Sequence, residues 1–201
     1  MHAILATLAL LAAPFWESKL PEQWSDEELS RLLHDSPWAQ VAVFRSPVGG
    51  AGGVQVYLAS ARPIEEAEEQ VRLRNRKRNK PAGTLAGEEL DQEYKGFLSS
   101  SPGKYIVLAV SFPNAGALAD AAEAKKMEEE CVLKVGRRKY KISGHFPPTS
   151  FDPYLRLIYP RVVEPSDKEF SFQLYLPSVA APYREAIFRT KELVYKGKLE
   201  M

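Results

Sequence analysis

The chain has 201 residues, of which 45% are hydrophobic and 26% charged, and this ordinary globular composition excludes a wholly disordered protein. The net charge of +1 provides no overall field that would hold nucleic acid or an anionic membrane, so such a partner would need a local charged patch. Cys131 is the only cysteine, which excludes an intramolecular disulfide and leaves stability to an apolar core. We expect Cys131 itself to be a small core residue.

An uncharged run, residues 3–13 (AILATLALLAA), follows the first two residues of the chain. Its length is typical of the hydrophobic region of a signal peptide and falls short of the ~20 apolar residues that span a bilayer. Only the Met1 amine and His2 precede it, so the positive charge before it is small, and a buried N-terminal helix or strand is the alternative. We expect residues 1–13 to be a signal peptide, and the processed protein to be exported, periplasmic or secreted, without a transmembrane anchor.

Residues 14–39 form an aromatic N-terminal block that we expect to pack on the core. Its first part, 14–21, is predicted to be an extended linker. Ser25 and Glu28 then have the spacing of a capping box, which predicts a helix that ends near His34.

Trp24 and Trp38 flank that predicted helix. Two large rings next to an amphipathic helix indicate a lid that closes one end of the core. An exposed aromatic patch that binds a glycan or a peptide is the alternative, and the exposure of the tryptophans distinguishes the two.

Two segments of the sequence carry a resemblance to other proteins: WESKLPEQWSDEELSRLLHDSPWA at 16–39 and FRTKELVYKGKLE at 188–200. They resemble segments of a loosely defined group of uncharacterised exported bacterial proteins, in which a tryptophan precedes a glutamate-rich helix that ends in Ser-Pro-Trp-Ala. Together they cover less than a fifth of the chain. The resemblance implies export and a shared fold, and it brings no assigned activity.

Periodicity and propensity predict the elements that follow, in chain order: strands 40–45 and 53–61 as a hairpin with a glycine-rich tip at 49–53, helices 64–80 and 88–98, a strand at 104–112, and a helix at 115–129. The strand at 104–112 is apolar at nearly every position, so we expect both of its faces to be buried.

From residue 131 onward the pattern is typical of β structure, with predicted strands at 131–135, 139–143, 155–159, 170–176, 184–190 and 193–199. The prolines of this part fall between the strands, where they are tolerated. We therefore predict a single α+β domain over residues 14–201, with a mostly antiparallel β-sandwich-like or half-barrel core and a helical insertion near residues 62–129.

The second half of the predicted helix 64–80 is basic, with Arg72, Arg74, Arg76, Lys77, Arg78 and Lys80. At 3.6 residues per turn Arg72, Arg76 and Lys80 share one face. A solvated helix end, partly neutralised by acidic residues one turn earlier, is what we expect, and a surface for an acidic lipid or polysaccharide is the alternative. The run lacks the aromatic residues that stack on bases, which argues against nucleic acid.

His34 and His145 are the histidines left after removal of the leader, and neither has further ligands at zinc spacing, so we expect no metal. The sequence also lacks the P-loop, nucleophile-elbow and HExxH motifs, and we expect no cofactor and identify no catalytic residue. The polar loop with His145, Asp152 and Tyr154 is the remaining place for a hydrolase site. His145 within hydrogen-bond reach of Asp152 in a cleft would support that hypothesis.

These observations favour an exported, non-catalytic, β-rich interaction or structural module of the cell envelope. Its expected partner is an envelope protein, a glycan or an anionic polymer, and not nucleic acid. The alternatives are a hydrolase or carbohydrate-active enzyme with a loop-built site, and a carrier of a small molecule or lipid in an apolar cavity. The predicted binding residues are Trp24, Trp38, Arg72, Arg76, Lys80, His145, Asp152 and Tyr154.

Overall fold

The computed structural model describes residues 13–43, 52–78, 93–94, 96–112, 115–149, 152–179 and 182–201. In this part the α-helices are Phe15–Ser18 (α1), Asp26–His34 (α2), Arg62–Arg78 (α3), the helical residues 93–94 and 96–100 (α4), and Ala121–Glu130 (α5). Short 3₁₀-helices lie at Pro21–Gln23, Ala115–Ala119 and Thr190–Glu192. Among the helices so described, none is long and apolar enough to span a bilayer.

The strands are Ala39–Ala42 (β1), Val54–Leu58 (β2), Tyr105–Ser111 (β3), Val132–Val135 (β4), Arg138–Lys141 (β5), Gly144–Phe146 (β6), Tyr154–Pro160 (β7), Glu169–Tyr175 (β8), Tyr183–Arg189 (β9), Val194–Tyr195 (β10) and Lys198–Leu199 (β11). They form antiparallel sheets with the strand orders β1-β2-β3-β7-β6, β5-β4-β8-β9 and β10-β11. β6 was not predicted from the sequence.

The two larger sheets are joined along one side. Val43, just beyond β1, exchanges both backbone hydrogen bonds with Glu185 of β9, each at 3.0 Å. On the other side only residues 142–143 separate β5 from β6, and the described strands of the two sheets do not close into a barrel. This arrangement confirms the predicted α+β class with a β-rich, mostly antiparallel core.

The core lies between the facing sides of these two sheets. Strand pairing places Leu58, Leu108 and Leu157 in one row of the five-stranded sheet. The opposite sheet contributes phenylalanines, and the ring of Phe172 lies 4.9 Å from that of Tyr159, centroid to centroid. The other side of the five-stranded sheet is covered by helices, so residues 106–110 of β3 are fully buried, as predicted for a strand enclosed on both faces.

The helices α3, α4 and α5 all fall in the predicted helical insertion, near residues 62–129. Between α4 and α5 the chain returns to the sheet as β3, which pairs with both β2 and β7. The insertion is therefore built around a central strand.

The predicted capping box is confirmed, because Ser25 Oγ accepts from the Glu28 N–H at 3.1 Å and Glu28 Oε2 accepts from the Ser25 N–H at 2.8 Å. The extended linker predicted at 14–21 is wrong, since α1 occupies 15–18. There the Phe15 ring packs edge-on against Trp16 and Trp24, at centroid distances of 4.9 and 6.0 Å, and these ring contacts offset a weak local helix propensity.

Three predicted features lie wholly or mostly outside the described residues. They are the signal peptide at 1–13, of which only residue 13 is described, the hairpin tip at 49–53, of which only 52–53 are described, and most of the helix at 88–98.

Candidate functional site

A cavity of about 470 Å³ lies on the helix-covered side of the five-stranded sheet. Leu29 and Leu33 of α2 and Val71 of α3 form apolar parts of its wall, and Tyr57 of β2 and Tyr154 of β7 contribute aromatic rings. Binding sites for small organic molecules usually measure about 300–1,000 Å³, so the size suits a ligand of that kind.

The pairing of three strands brings Tyr57 and Arg156 together in this cavity. Tyr57 lies opposite Ala109, and Ala109 lies opposite Arg156, so the three side chains form a row on one face of the sheet. Because the central residue carries only a methyl group, the two long side chains can extend above it. α3 packs over this face and adds Glu68, whose carboxylate contacts both.

Glu68 and Arg156 form a buried ion pair. Their side chains are 7% and 5% exposed, and Glu68 Oε1 lies 2.9 Å from Arg156 Nη2. The Tyr57 hydroxyl donates to the same carboxylate oxygen at 2.7 Å, and Arg72 Nη1 lies 3.5 Å from Glu68 Oε2. Arg156 Nη2 also donates to Asp152 Oδ2 at 2.8 Å. Since an unpaired buried charge is very costly, these partners hold one another in place.

The carboxylates that line the cavity are all paired with arginines. Asp26 lies 2.6 Å from Arg74, and Glu68 and Asp152 both contact Arg156. The charges of the wall therefore balance within the protein. An ionic ligand would have to compete with these pairs, whereas a neutral ligand leaves them intact.

The two tyrosines of the cavity are hydrogen-bond donors at neutral pH. Burial raises the pKa of Tyr57 well above its ordinary value, and the charge of Glu68 raises it further. Burial and then the charge of Asp152 raise the pKa of Tyr154. Burial acts to lower the pKa of Arg156, but Glu68, Tyr57, Tyr94 and Asp152 together outweigh it and raise the pKa, so the guanidinium remains protonated.

Some of the residues predicted from the sequence meet in this cavity and others do not. Arg72, Asp152 and Tyr154 line it. Arg76 is exposed on α3 and is not among the residues that line it, and Lys80 lies outside the described residues.

His145 lies on the opposite face of the sheet from this cavity. On β6 it pairs with Leu157, whereas its neighbour Phe146 pairs with Arg156, so the alternation of side chains along the strand separates His145 from Asp152. Its Nδ1 lies 3.5 Å from the carboxylate of Glu128, a side chain that is 52% exposed. The grouping of His145 with Asp152 and Tyr154 in one site is therefore absent from the described structure.

Trp24 and Trp38 are 1% and 0% exposed, so in the described structure their rings belong to the core. The Trp38 indole N–H donates to the backbone carbonyl of Glu200 at 3.0 Å, and its ring lies 6.4 Å from that of Tyr195. This is the lid arrangement, and neither ring offers a face to a ligand at the surface.

Tyr57, Glu68 and Arg156 were not identified as site residues from the sequence. Glu68 belongs to a run of acidic residues at the start of α3 that has the pattern of a solvated face, yet it is buried. The sequence did contain one indication of a buried polar site, which is Arg156, a charged residue between apolar neighbours in a predicted strand. An arginine in that position needs a buried partner.

A second cavity, of about 890 Å³, lies between the start of α3, α4 and the β10–β11 hairpin. Burial raises the pKa of Glu65 in its wall to about 7, although Arg62 acts to lower it. The remaining charges on this wall are of both signs, with Glu66, Glu200, Arg161, Lys196 and Lys198. The wall of this second cavity is more polar than that of the cavity under α2 and α3, which is therefore the better candidate for an organic ligand.

The described residues contain no group of three or more histidine, cysteine or acidic side chains arranged to hold a metal ion. Comparison of the chain with protein-family models, with curated proteins and with solved structures gave no match.

Proposed function

We propose that this chain is a non-catalytic binding module that holds a small neutral molecule in the cavity under α2 and α3. A mono- or disaccharide is the class that fits this wall best. The observation that carries the proposal is a cavity of suitable size whose charged side chains are already paired with one another.

The chemistry of the wall supports a saccharide. Sugars present hydroxyl groups beside apolar C–H faces, and this cavity places polar groups beside leucine and tyrosine side chains. Asp152 is an acceptor with 25% of its side chain exposed, and Asn75 and Thr149 are further polar groups of the wall. The paired carboxylates also support binding without catalysis, because a carboxylate engaged by arginine is a poor general base.

The test is calorimetric titration of the full chain with a panel of neutral mono- and disaccharides, followed by thermal unfolding with any that bind. A ligand at 100 times its Kd stabilises the folded state by about 2.7 kcal/mol. We expect Tyr154→Leu, in the cavity wall, to weaken binding about tenfold, the factor that corresponds to ~1.4 kcal/mol. Tyr183→Leu is the matched control, since Tyr183 is 48% exposed on β9 and lines neither cavity.

The proposal would be contradicted if no saccharide of the panel bound. It would equally be contradicted if one bound and the two tyrosine variants weakened it to the same extent, because the binding site would then lie elsewhere.

A hydrolase acting on such a ligand is the second candidate, favoured by one observation. His34 at the end of α2 lines the same cavity as Asp152, Thr149 and Tyr154, so an imidazole is present there even though His145 is not. Its Nδ1 lies 2.8 Å from the carbonyl oxygen of Ser30. Release of nitrophenol from nitrophenyl glycosides or esters, abolished by His34→Gln, would favour the enzyme over the binding module.

We also propose that the chain is exported and acts in the cell envelope, on the strength of the apolar run at 3–13. Mass spectrometry of the protein recovered from its own cells tests this. A mature N-terminus at residue 13 or 14 is expected, and intact Met1 in the cytosolic fraction would contradict it.

A further inference from the structure

The hairpin of β4 and β5 carries a dense group of cations that we call the basic hairpin: Lys134, Arg137, Arg138, Lys139 and Lys141. All of them are exposed except Lys134, which is half-buried. The sequence has no acidic residue between Glu130 and Asp152. In a chain whose net charge is only +1, this is a local positive surface.

Within the described residues, none of these five cations forms an ion pair with a carboxylate. The basic residues of α3 differ, because Arg72 contacts Glu68 and Arg74 contacts Asp26. The positive charge of α3 is thus partly neutralised, as expected from the sequence, while the positive charge of the basic hairpin is not.

The placement of these charges works against stability. Lys134 and Lys139 are directly opposite each other on paired strands, and like charges in that relation are destabilising. Lysines on an edge strand protect it from pairing with other chains, which would account for those of β5. Protection of an edge strand does not account for Lys134, because β4 pairs with both β5 and β8, and it does not account for Arg137, which lies in the turn.

We propose that the basic hairpin binds an acidic polysaccharide. Lys134 and Lys139 share one face of the hairpin with Lys141, while Arg138 lies on the other face, where its guanidinium is 5.9 Å from the centroid of the Tyr140 ring. That other face also carries Leu133 and Val135, which are buried in the core, so Lys134, Lys139 and Lys141 form a row of cations on the face of the hairpin turned away from the core. The negative charges spaced along an acidic polysaccharide complement such a row of cations.

Single-stranded nucleic acid is less well suited to this row of cations. Binding of that kind combines a basic groove with aromatic rings on which bases stack. Tyr140 is half-buried, and an arginine already lies against its ring. None of the five cations lines either cavity, so this surface is separate from the proposed saccharide site.

The experiment compares two variants that remove the same charge. Lys139→Gln/Lys141→Gln removes two exposed cations of the basic hairpin, and Arg76→Gln/Lys77→Gln removes two exposed cations of α3. Binding of the full chain to dextran sulfate and to polygalacturonate is measured over a range of salt concentrations, with neutral dextran as the uncharged control. Circular dichroism and thermal unfolding establish that both variants fold.

We expect the hairpin variant to bind about tenfold more weakly at low salt, with a shallower dependence of log Kd on log salt, because fewer counterions are displaced. The α3 variant should stay within about twofold of the parent chain. If the hairpin variant fails to fold, Arg137→Gln/Arg138→Gln is measured in its place with the same expectation.

Several results would overturn the proposal. Equal losses in the two variants would mean a response to net charge alone, and a larger loss in the α3 variant would place the site on that helix. Binding to phosphatidylserine vesicles or to single-stranded DNA, in the absence of binding to either polysaccharide, would assign the surface to another class of partner.

Discussion

Replacing Arg156 with methionine removes the guanidinium from the buried ion pair while keeping a side chain of similar length. Glu68, 7% exposed, and Asp152, 25% exposed, then lose their common counterion. Removal of one partner from a buried ion pair costs about 3–5 kcal/mol, because the remaining charge stays buried. For a protein of this size about 2–4 °C of Tm corresponds to each kcal/mol, so we expect Tm to fall by about 10 °C.

Urea denaturation followed by tryptophan fluorescence measures this loss, since Trp24 and Trp38 are buried in the folded state. Arg189→Met is the matched control. Arg189 is 64% exposed and pairs with Glu192, itself 43% exposed, so its loss should change stability by no more than about 0.5 kcal/mol.

The double variant Glu68→Gln/Arg156→Met completes a thermodynamic cycle with the two single variants. Because both members of the pair change together, its loss should fall short of the sum of the single losses by about 0.5–3 kcal/mol. A change of less than about 1 kcal/mol for Arg156→Met would refute the reasoning, as would strict additivity in the cycle.

Three further predictions concern single residues. Burial raises the pKa of Glu65 to about 7, so the folded state holds a proton that the unfolded state releases. The free energy of unfolding should therefore fall as pH rises from about 4.5 to about 7. Glu65→Gln should remove this dependence in unfolding curves measured across that range. Burial raises the pKa of the Cys131 thiol to about 12. A disulfide reagent at about pH 8 should therefore leave Cys131 unlabelled in the native protein and label it in urea. Rapid labelling of the native protein would contradict the burial of Cys131. Gly136→Ala should lower the free energy of unfolding by about 1 kcal/mol in chemical denaturation, because φ is +58° at that position. Gly96→Ala lies in α4, where no atom is within 4 Å of the added Cβ, so it should raise the free energy of unfolding by about 0.5–1 kcal/mol. A change of the same sign in both variants would refute the backbone argument.

Most strands and the capped helix could be predicted from the sequence because their signals are local. The alternation through β4 and β5 and the box of Ser25 and Glu28 depend on residues close to one another in the chain. α1 and β6 were not predicted. α1 gains its stability from the ring of Trp24, several residues away, and β6 from pairing with β7.

The candidate site was harder to predict because strand pairing and helix packing assemble it. Tyr57 and Arg156 are distant in sequence and meet only because both pair with Ala109. His145 and Asp152 are close in sequence, yet the alternation of β6 places His145 on the other face of the sheet. Whether Glu68 is solvated or buried depends on this same packing, since neighbouring acidic residues of α3 have a similar local pattern.

The contact of Trp38 with Glu200 joins residues 162 positions apart, and the backbone N–H of Lys196 likewise donates to the carboxylate of Glu17 at 2.8 Å. Contacts between such distant residues slow folding, because a large loop must close before they form. A chain truncated before residue 195 therefore lacks the partners of both Trp38 and Glu17, and the N-terminal block cannot complete its native docking until residues 195–201 have been synthesised.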